Sequence, residues 1–159
     1  MAPLPPDLVL HPLGGHDLTL AEQLKLFHVV VVVLDPFTHE STWLLETAGR
    51  ILEGFADADC RAAFVVTCDA EGARSFLGPW AERLMVFCDE DRSLTKALGI
   101  TEVPAFVHLA MDLTIAGVAE GWDPETWRPV AENLAETMSW SRPAIPRPGD
   151  PVPYAGTKV

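Results

Sequence analysis

The sequence predicts an α/β fold, with a central mixed sheet of about five strands flanked by helices on both faces. Residues 29–34 form an unbroken aliphatic run, Val-Val-Val-Val-Val-Leu, which lacks the alternation of a half-exposed strand. We therefore expect this segment to be a central strand buried on both faces. Apolar segments of strand length then alternate with segments of helical periodicity. Near residue 110, two short apolar segments flank Met-Asp, which indicates an antiparallel hairpin.

The first half of the chain supplies the elements around the central strand. Residues 1–18 are rich in proline and glycine and are predicted to be extended. Thr19 and Glu22 match a capping box, in which each side chain bonds the other's backbone amide, and a short helix should follow through about residue 26. Thr38 is a plausible first cap of a longer helix. Helical spacing of apolar residues extends that helix over roughly residues 39–55.

The second half continues the alternation and ends in the hairpin and a last helix. The motif Asp123-Pro124-Glu125 is a strong helix start, because it combines a cap, a proline in the first turn and an acid at the positive end of the helix. The other predicted elements are a strand at 62–67, a helix after Asp69 broken at Gly78-Pro79, a strand at 84–87, a short helix at 93–98 ended by Gly99, and hairpin strands at 105–110 and 113–118.

Composition excludes several classes of function. The 159 residues carry a formal net charge of −12, so nucleic acid and anionic membranes are unfavourable partners. No apolar run approaches the ~20 residues that a membrane-spanning helix needs. The start of the sequence lacks the basic segment of a secretory signal, so we expect a cytoplasmic protein. No cofactor and no metal site are expected, because the five histidines show no ligand spacing.

The three cysteines are Cys60, Cys68 and Cys88, and no two of them form a Cys-x-x-Cys pair. We expect Cys68 and Cys88 to follow neighbouring strands, at the sheet edge where sites of parallel sheets lie. Cys60 is expected in a loop or at the start of a strand. Buried structural thiols are the commoner role for such residues, and a relocated redox role for Cys68 or Cys88 is the alternative.

Taken in order, several passages resemble the thioredoxin-like superfamily, specifically its TlpA-like and peroxiredoxin (AhpC-TSA) branch. They are Leu-Gly-Gly-His-Asp-Leu-Thr-Leu at 13–20, Asp-Pro-Phe-Thr-His-Glu-Ser at 35–41, Val-Val-Thr-Cys-Asp at 65–69, the acidic run to Leu-Gly-Ile at 89–100, and Thr-Glu-Val-Pro-Ala-Phe at 101–106. The resemblance spans about residues 8–138. It implies a thioredoxin-like fold in which the peptide bond before Pro104 is cis.

The sequence departs from this family at the position of the active site. With Phe37 on the family's aromatic residue, Thr38 and Ser41 take the places of the two cysteines of Cys-x-x-Cys, and His39 and Glu40 lie between them. In a peroxiredoxin alignment, Ser41 replaces the peroxidatic cysteine. A serine hydroxyl neither ionises usefully at neutral pH nor forms a mixed disulfide, so we expect no catalytic residue and no dithiol chemistry here.

Three functions follow from this departure. The first is a redox-inactive binding module with a peptide or protein partner, because the resemblance implies that the residue before the cis proline pairs its backbone with a peptide. Its candidate binding residues are Phe37, Thr38, His39, Glu40, Ser41, Val103 and Pro104. The alternative is a thiol–disulfide oxidoreductase or peroxiredoxin-like enzyme that uses Cys68 or Cys88. The third is a structural subunit, in which Thr38 and Ser41 merely satisfy amides at a helix start.

The end of the sequence differs in character from the rest. We expect a thioredoxin-like domain over residues 1–140 and a proline-rich, extended tail over residues 141–159. The tail carries three basic residues and one acid, whereas the rest of the chain is acidic. Such an arm is expected to dock on the body, in cis or across a homodimer, which is the assembly we expect. A proline-recognising partner for the Pro143-x-x-Pro146 motif is the alternative.

Overall fold

The computed structural model describes residues 3–159 and contains the predicted α/β sheet. In chain order its elements are β1 (Val9–Leu10), β2 (Leu18–Thr19), α1 (Leu20–Gln23), β3 (His28–Leu34), α2 (His39–Glu53), β4 (Cys60–Val66), α3 (Ala70–Leu77), α4 (Trp80–Arg83), β5 (Met85–Cys88), α5 (Ser93–Ala97), β6 (Glu102–Val103), β7 (Ala105–Leu109), β8 (Ile115–Glu120), α6 (Pro124–Met138) and β9 (Thr157–Lys158). Over these described residues, no helix is long and apolar enough to cross a membrane.

The main sheet has the strand order β5-β4-β3-β7-β8, with β3 at its centre. Strand β3 runs parallel to β4 and antiparallel to β7, so that Val32 lies between Phe64 and Phe106. Strands β7 and β8 form the predicted antiparallel hairpin. The aliphatic run is therefore hydrogen-bonded on both edges, which explains why it needs no polar face.

Alternate side chains of β3 enter two separate hydrophobic layers. Val30 and Val32 pack with the buried residues of α2, α3 and α6, whereas Val31 and Val33 pack with those of α1 and α5 on the opposite face. Every side chain from residue 29 to residue 34 is at most 2% exposed. The sheet is therefore covered on both sides, as the sequence predicts.

Several element ends differ from their predicted positions. Helix α1 ends at Gln23 rather than near residue 26, and residues 24–26 form a turn that leads into β3. The capping box of Thr19 and Glu22 is confirmed. Cys88 was expected after its strand and is instead the last residue of β5, and β4 begins at Cys60.

The tail was expected to be extended, and its end is, because it forms the short strand β9, which pairs with β6; bends and a turn interrupt the extended chain at residues 145–150. Further upstream, Ile145 is buried in the core layer beneath α2 and α6, and the Trp122 indole donates to the carbonyl of Pro151. The main ionic anchor reverses the expected charge pattern. The tail's Asp150 carboxylate pairs with Arg50 of α2 at 2.7 Å, with side chains that are 7% and 15% exposed.

Gly49 of α2 lies directly against the ring of Trp80. A Cβ atom at this position would lie 2.5 Å from a ring carbon, which a rigid indole cannot accommodate without moving. Replacing Gly49 with alanine should therefore lower the free energy of unfolding by about 2 kcal/mol in urea titrations. Helix propensity alone predicts the opposite change, because alanine is intrinsically the better helix former by about 1 kcal/mol. A loss of stability would therefore point to the contact with Trp80.

The double variant Gly49→Ala/Trp80→Leu is the control for this prediction. Relative to Trp80→Leu alone, the added alanine should cost much less, because the smaller side chain leaves room for its methyl group. Equal costs in both backgrounds would mean that the Trp80 contact is not the cause.

Candidate functional site

The sheet topology brings the two predicted surfaces to one end of the molecule. Because Val33 lies opposite Ala105 in the register of β3 and β7, the loop after β3 lies beside the loop before β7. The first loop contains the passage with Thr38 and Ser41, and the second contains Val103 and Pro104. The structure therefore places the residues that the resemblance singled out in one region.

Ser41 is completely buried and faces inward. Its Oγ accepts a hydrogen bond from the backbone N–H of Asp35 at 2.9 Å. Thr38 precedes α2 but makes no side-chain cap, and its hydroxyl donates to the carbonyl of Asp35. The expectation that both hydroxyls satisfy amides therefore fails for Thr38, whereas Ser41 does satisfy an amide, that of Asp35 in the loop before α2. Both hydroxyls hold this loop, whose sharp turn directs their bonds back to Asp35.

Asp35 connects this loop to α5. Its buried carboxylate accepts from the backbone N–H of Phe37 at 3.0 Å and from Arg92 at 3.3 Å. In the described part of the chain, no histidine bonds Ser41. His39 instead stacks on Trp43, with ring centroids 6.2 Å apart, and His108 pairs with His28 at the other end of β3. Ser41 therefore lacks the base that a hydrolytic nucleophile requires.

Two aromatic side chains project from this end of the molecule. Phe37 is 81% exposed and Trp43 is 58% exposed. Phe37 is one of the binding residues predicted from the sequence, whereas Trp43, which lies one turn into α2, was not predicted. Its position on the polar face of an amphipathic helix is the signal that would have identified it.

The loop before β7 is held from both sides. The Val103–Pro104 peptide bond is cis, and both residues are buried. A carboxylate oxygen of Glu120 in β8 accepts hydrogen bonds from the backbone amides of Thr101 and Glu102, at 2.6 and 2.9 Å. The edge of β6 is thereby fixed for pairing with another extended segment.

That edge is occupied by the chain's own tail. Val103 pairs with Thr157 and Glu102 with Lys158, in antiparallel register. The edge beside the cis proline is filled in this way, and Ser41, on the buried face of α2, is inaccessible. Strand β9 could not be predicted from the sequence, because two residues in an irregular tail produce no hydrophobic periodicity.

Tyr154 links the tail to the start of α2. Its hydroxyl donates to the carbonyl of Glu40, and its ring packs edge-on against Trp43 at 5.6 Å. Tyr154 is thus a second site residue that the sequence analysis missed.

The thiols are poorly suited to nucleophilic chemistry. Cys68 lies just beyond β4 and is 5% exposed, and burial, followed by the neighbouring Cys88, raises its pKa to about 12. Burial also raises the pKa of the partly exposed Cys88, against a smaller opposing effect of Arg74. Cys60 is buried at the opposite end of β4, where its pKa is raised mainly by burial. Little thiolate is expected at neutral pH.

Two surface cavities adjoin these thiols. A cavity of about 510 Å³ includes Cys88 and one of about 480 Å³ includes Cys68, and Asp69, Glu90 and Asp91 contribute to both. The negative rim of the first cavity disfavours a thiolate and an anionic ligand alike, whereas Arg92 and Lys96 offset part of the acidic charge around the second. Within residues 3–159, no group of three histidine, cysteine or acidic side chains is arranged to hold a metal ion.

Comparison with known proteins identifies the architecture. No family model matches the chain, and no curated protein matches its sequence. Solved structures do match, among them MTB dsbF in its mixed oxidized and reduced forms, with a TM-score of 0.63 and 17% identity over 86% of this chain and 97% of that one. A cysteine-to-serine mutant of Xylella fastidiosa PrxQ gives a TM-score of 0.67 and 15% identity over 86% and 95%.

The fold is thioredoxin-like. An exposed lipoprotein thioredoxin from Streptococcus pneumoniae matches as well, with a TM-score of 0.62, 16% identity, and coverage of 79% of this chain and 98% of that one. Identities this low establish the fold and not the chemistry.

Proposed function

We propose that this thioredoxin-fold protein is a binding module that accepts an extended peptide along β6, beside Pro104. The pairing of β9 with Glu102 and Val103 carries the proposal, because it demonstrates that this edge can add a strand. Main-chain hydrogen bonds supply affinity in such complexes, and side-chain pockets supply selectivity. The exposed ring of Trp43, which packs against Tyr154 of the tail, offers apolar contact area beside that edge.

The chemistry of the neighbouring residues supports binding over catalysis. Where the related folds carry a redox dyad, this chain has Thr38 and the fully buried Ser41. Neither hydroxyl can form a mixed disulfide or a sulfenic acid. The purified protein is therefore expected to neither reduce insulin disulfides nor consume peroxide.

A binding experiment tests the proposal directly. A peptide with the sequence of residues 151–159 is added to the ¹⁵N-labelled variant Asp150→Ala, whose own tail is less firmly held. Amide shifts at residues 101–103 and 40–43 that saturate with peptide are the expected result. A titration to millimolar peptide without shifts at these residues would contradict the proposal.

A thiol oxidoreductase is the second candidate, and the names of the similar structures favour it. Cys88 ends β5 and Cys68 lies just beyond the neighbouring β4, closely enough that Cys88 contributes to the raised pKa of Cys68. In such an enzyme the two thiols would become a disulfide, and two electrons and two protons would reduce a substrate disulfide to two thiols. The buried position of Cys68 and the raised pKa of both thiols oppose this reaction.

Thiol labelling distinguishes the two candidates. With iodoacetamide at pH 7.5, Cys68 should remain unmodified in the folded protein and react only in urea, because its thiolate is scarce and buried. Cys88 is the internal comparison and should react slowly. Peptide mass spectrometry after timed quenching measures both. Rapid labelling of Cys68 in the folded chain would instead support the oxidoreductase. A homodimer and a cytoplasmic location remain predictions.

A further inference from the structure

The tail contacts its groove through specific side chains as well as through the backbone. We define the tail hexapeptide as residues 154–159, Tyr-Ala-Gly-Thr-Lys-Val. Its first anchor is Tyr154, which is held by the Glu40 carbonyl and the edge-on Trp43 ring. A phenylalanine could fill the same space but would leave that bond unmade. The first position of the hexapeptide therefore favours tyrosine.

The third position admits glycine alone. A Cβ atom on Gly156 would lie 2.8 Å from the carbonyl oxygen of Val103 and 3.0 Å from Cβ of Glu102. The oxygen belongs to the backbone of the loop that Glu120 holds, so it cannot move aside cheaply. On the other side, the amide of Gly156 would lie 3.0 Å from a Cβ atom on Gly121. The two backbones thus meet without intervening side chains.

The last three positions alternate in their environment. Thr157 and Val159 are partly buried, whereas Lys158 is exposed. Val159 donates its backbone N–H to the carbonyl of Thr101 at 3.0 Å and packs against the core layer on the α1 and α5 face. A strand in this register exposes every second side chain. The fifth position is consequently unselective, while the sixth favours an aliphatic residue.

We propose that the groove selects extended peptides with the pattern tyrosine–any–glycine–any–any–aliphatic, presented by another protein, and that the tail hexapeptide is their resident competitor. The inference rests on the proposed function, since it assigns the ligand class of the same edge. A tethered segment competes at an effective concentration in the millimolar range. An outside peptide therefore binds weakly until the resident tail is displaced.

The decisive experiment uses two single variants of the full chain. Gly156→Ala should release the tail, while Ala155→Ser, an adjacent change at an exposed position, should leave it docked. A fluorescein-labelled peptide of residues 151–159 is titrated into each and followed by fluorescence anisotropy. The Gly156→Ala chain should bind it at least about tenfold more tightly than either Ala155→Ser or the unchanged chain. The same peptide with alanine at the glycine position should bind to none of them.

The outcomes separate the two proposals. If the Gly156→Ala chain binds the original and the alanine peptide equally, the edge does bind strands but the selectivity is wrong. If that chain binds neither peptide although hydrogen exchange shows its tail released, the proposed function itself is wrong. A tail that stays docked in Gly156→Ala would overturn the requirement for glycine. Dimers formed through exchanged tails would assign the groove to a second copy of the chain and overturn the occupant proposed here.

A measurement on the unchanged chain covers the case in which Gly156→Ala fails to fold. Hydrogen exchange at the Val159 amide, which bonds Thr101, reports whether the tail is docked. Millimolar peptide with the original sequence should accelerate this exchange, and the alanine peptide should not. Equal acceleration by both peptides, or by neither, would contradict the selectivity.

Discussion

Replacing Asp150 with alanine is expected to lower the free energy of unfolding by about 3 kcal/mol and to release the tail. The carboxylate accepts from Arg50, from the hydroxyl of Thr47 and from the backbone N–H of Arg147, all at 2.7–3.0 Å. Its loss leaves the largely buried guanidinium of Arg50 without its charged partner, with only the carbonyl of Ala144 as an acceptor. The loss in the free energy of unfolding cannot exceed the free energy with which the tail docks. Once the tail is released, Arg50 is exposed to water and its charge is no longer buried without a partner. Urea titration and limited proteolysis measure the two effects.

A second ion pair of the same tail is the matched control. Arg142 contacts Glu132 of α6, but both side chains are about half exposed. Arg142→Ala should therefore cost less than about 1 kcal/mol and leave the tail resistant to protease. The prediction for Asp150 is wrong if the two variants lose similar amounts of stability.

Acidification from pH 6.5 to pH 4 is expected to remove roughly 3 kcal/mol of stability through His108 alone. This imidazole is 1% exposed, its Nε2 lies 2.9 Å from Nδ1 of His28, and its Nδ1 has no hydrogen-bond partner among the described residues. Burial, with a smaller effect of His28, lowers the pKa of His108 to about 4. The unfolded chain therefore takes up this proton first, so the stability present above pH 6.5 is lost as the pH falls towards 4.

The measurement is the free energy of unfolding against pH for the unchanged chain and for His108→Gln, which does not titrate. The variant should lose about 3 kcal/mol less across this interval, while carboxylates contribute equally to both curves. His16→Gln, at an exposed position, should follow the unchanged chain. Parallel curves for His108→Gln and the unchanged chain would show that burial does not perturb His108 in this way.

Elements with strong local signals were predictable from the sequence. The aliphatic run became β3, the periodic segment became α2, and the caps at Thr19 and Asp123 begin α1 and α6. These signals arise from residues a few positions apart within one helix or strand, so they can be read from the sequence without knowing the tertiary contacts. The end of α1, where residues 24–26 form a turn, lacks such a local signal.

The candidate site was predictable only in part. The resemblance located Thr38, Ser41 and Val103, and the structure brings their loops together. It did not indicate that Tyr154 reaches Glu40. That contact joins residues that are 114 positions apart. Hydrophobic periodicity and capping motifs carry no information at such separations.

The crowding around Gly156 has a consequence for how sequences of this kind diverge. Its glycine requirement comes from the nearby Val103 carbonyl rather than from a left-handed backbone, whereas Gly121 has a φ of +73° and needs glycine on its own account. In homologous chains, glycine at position 121 should therefore persist whether or not the tail is present. Glycine at position 156 should persist only in homologues whose tail still pairs with β6. A homologue with another residue at this position is therefore expected to have an undocked tail and an open β6 edge.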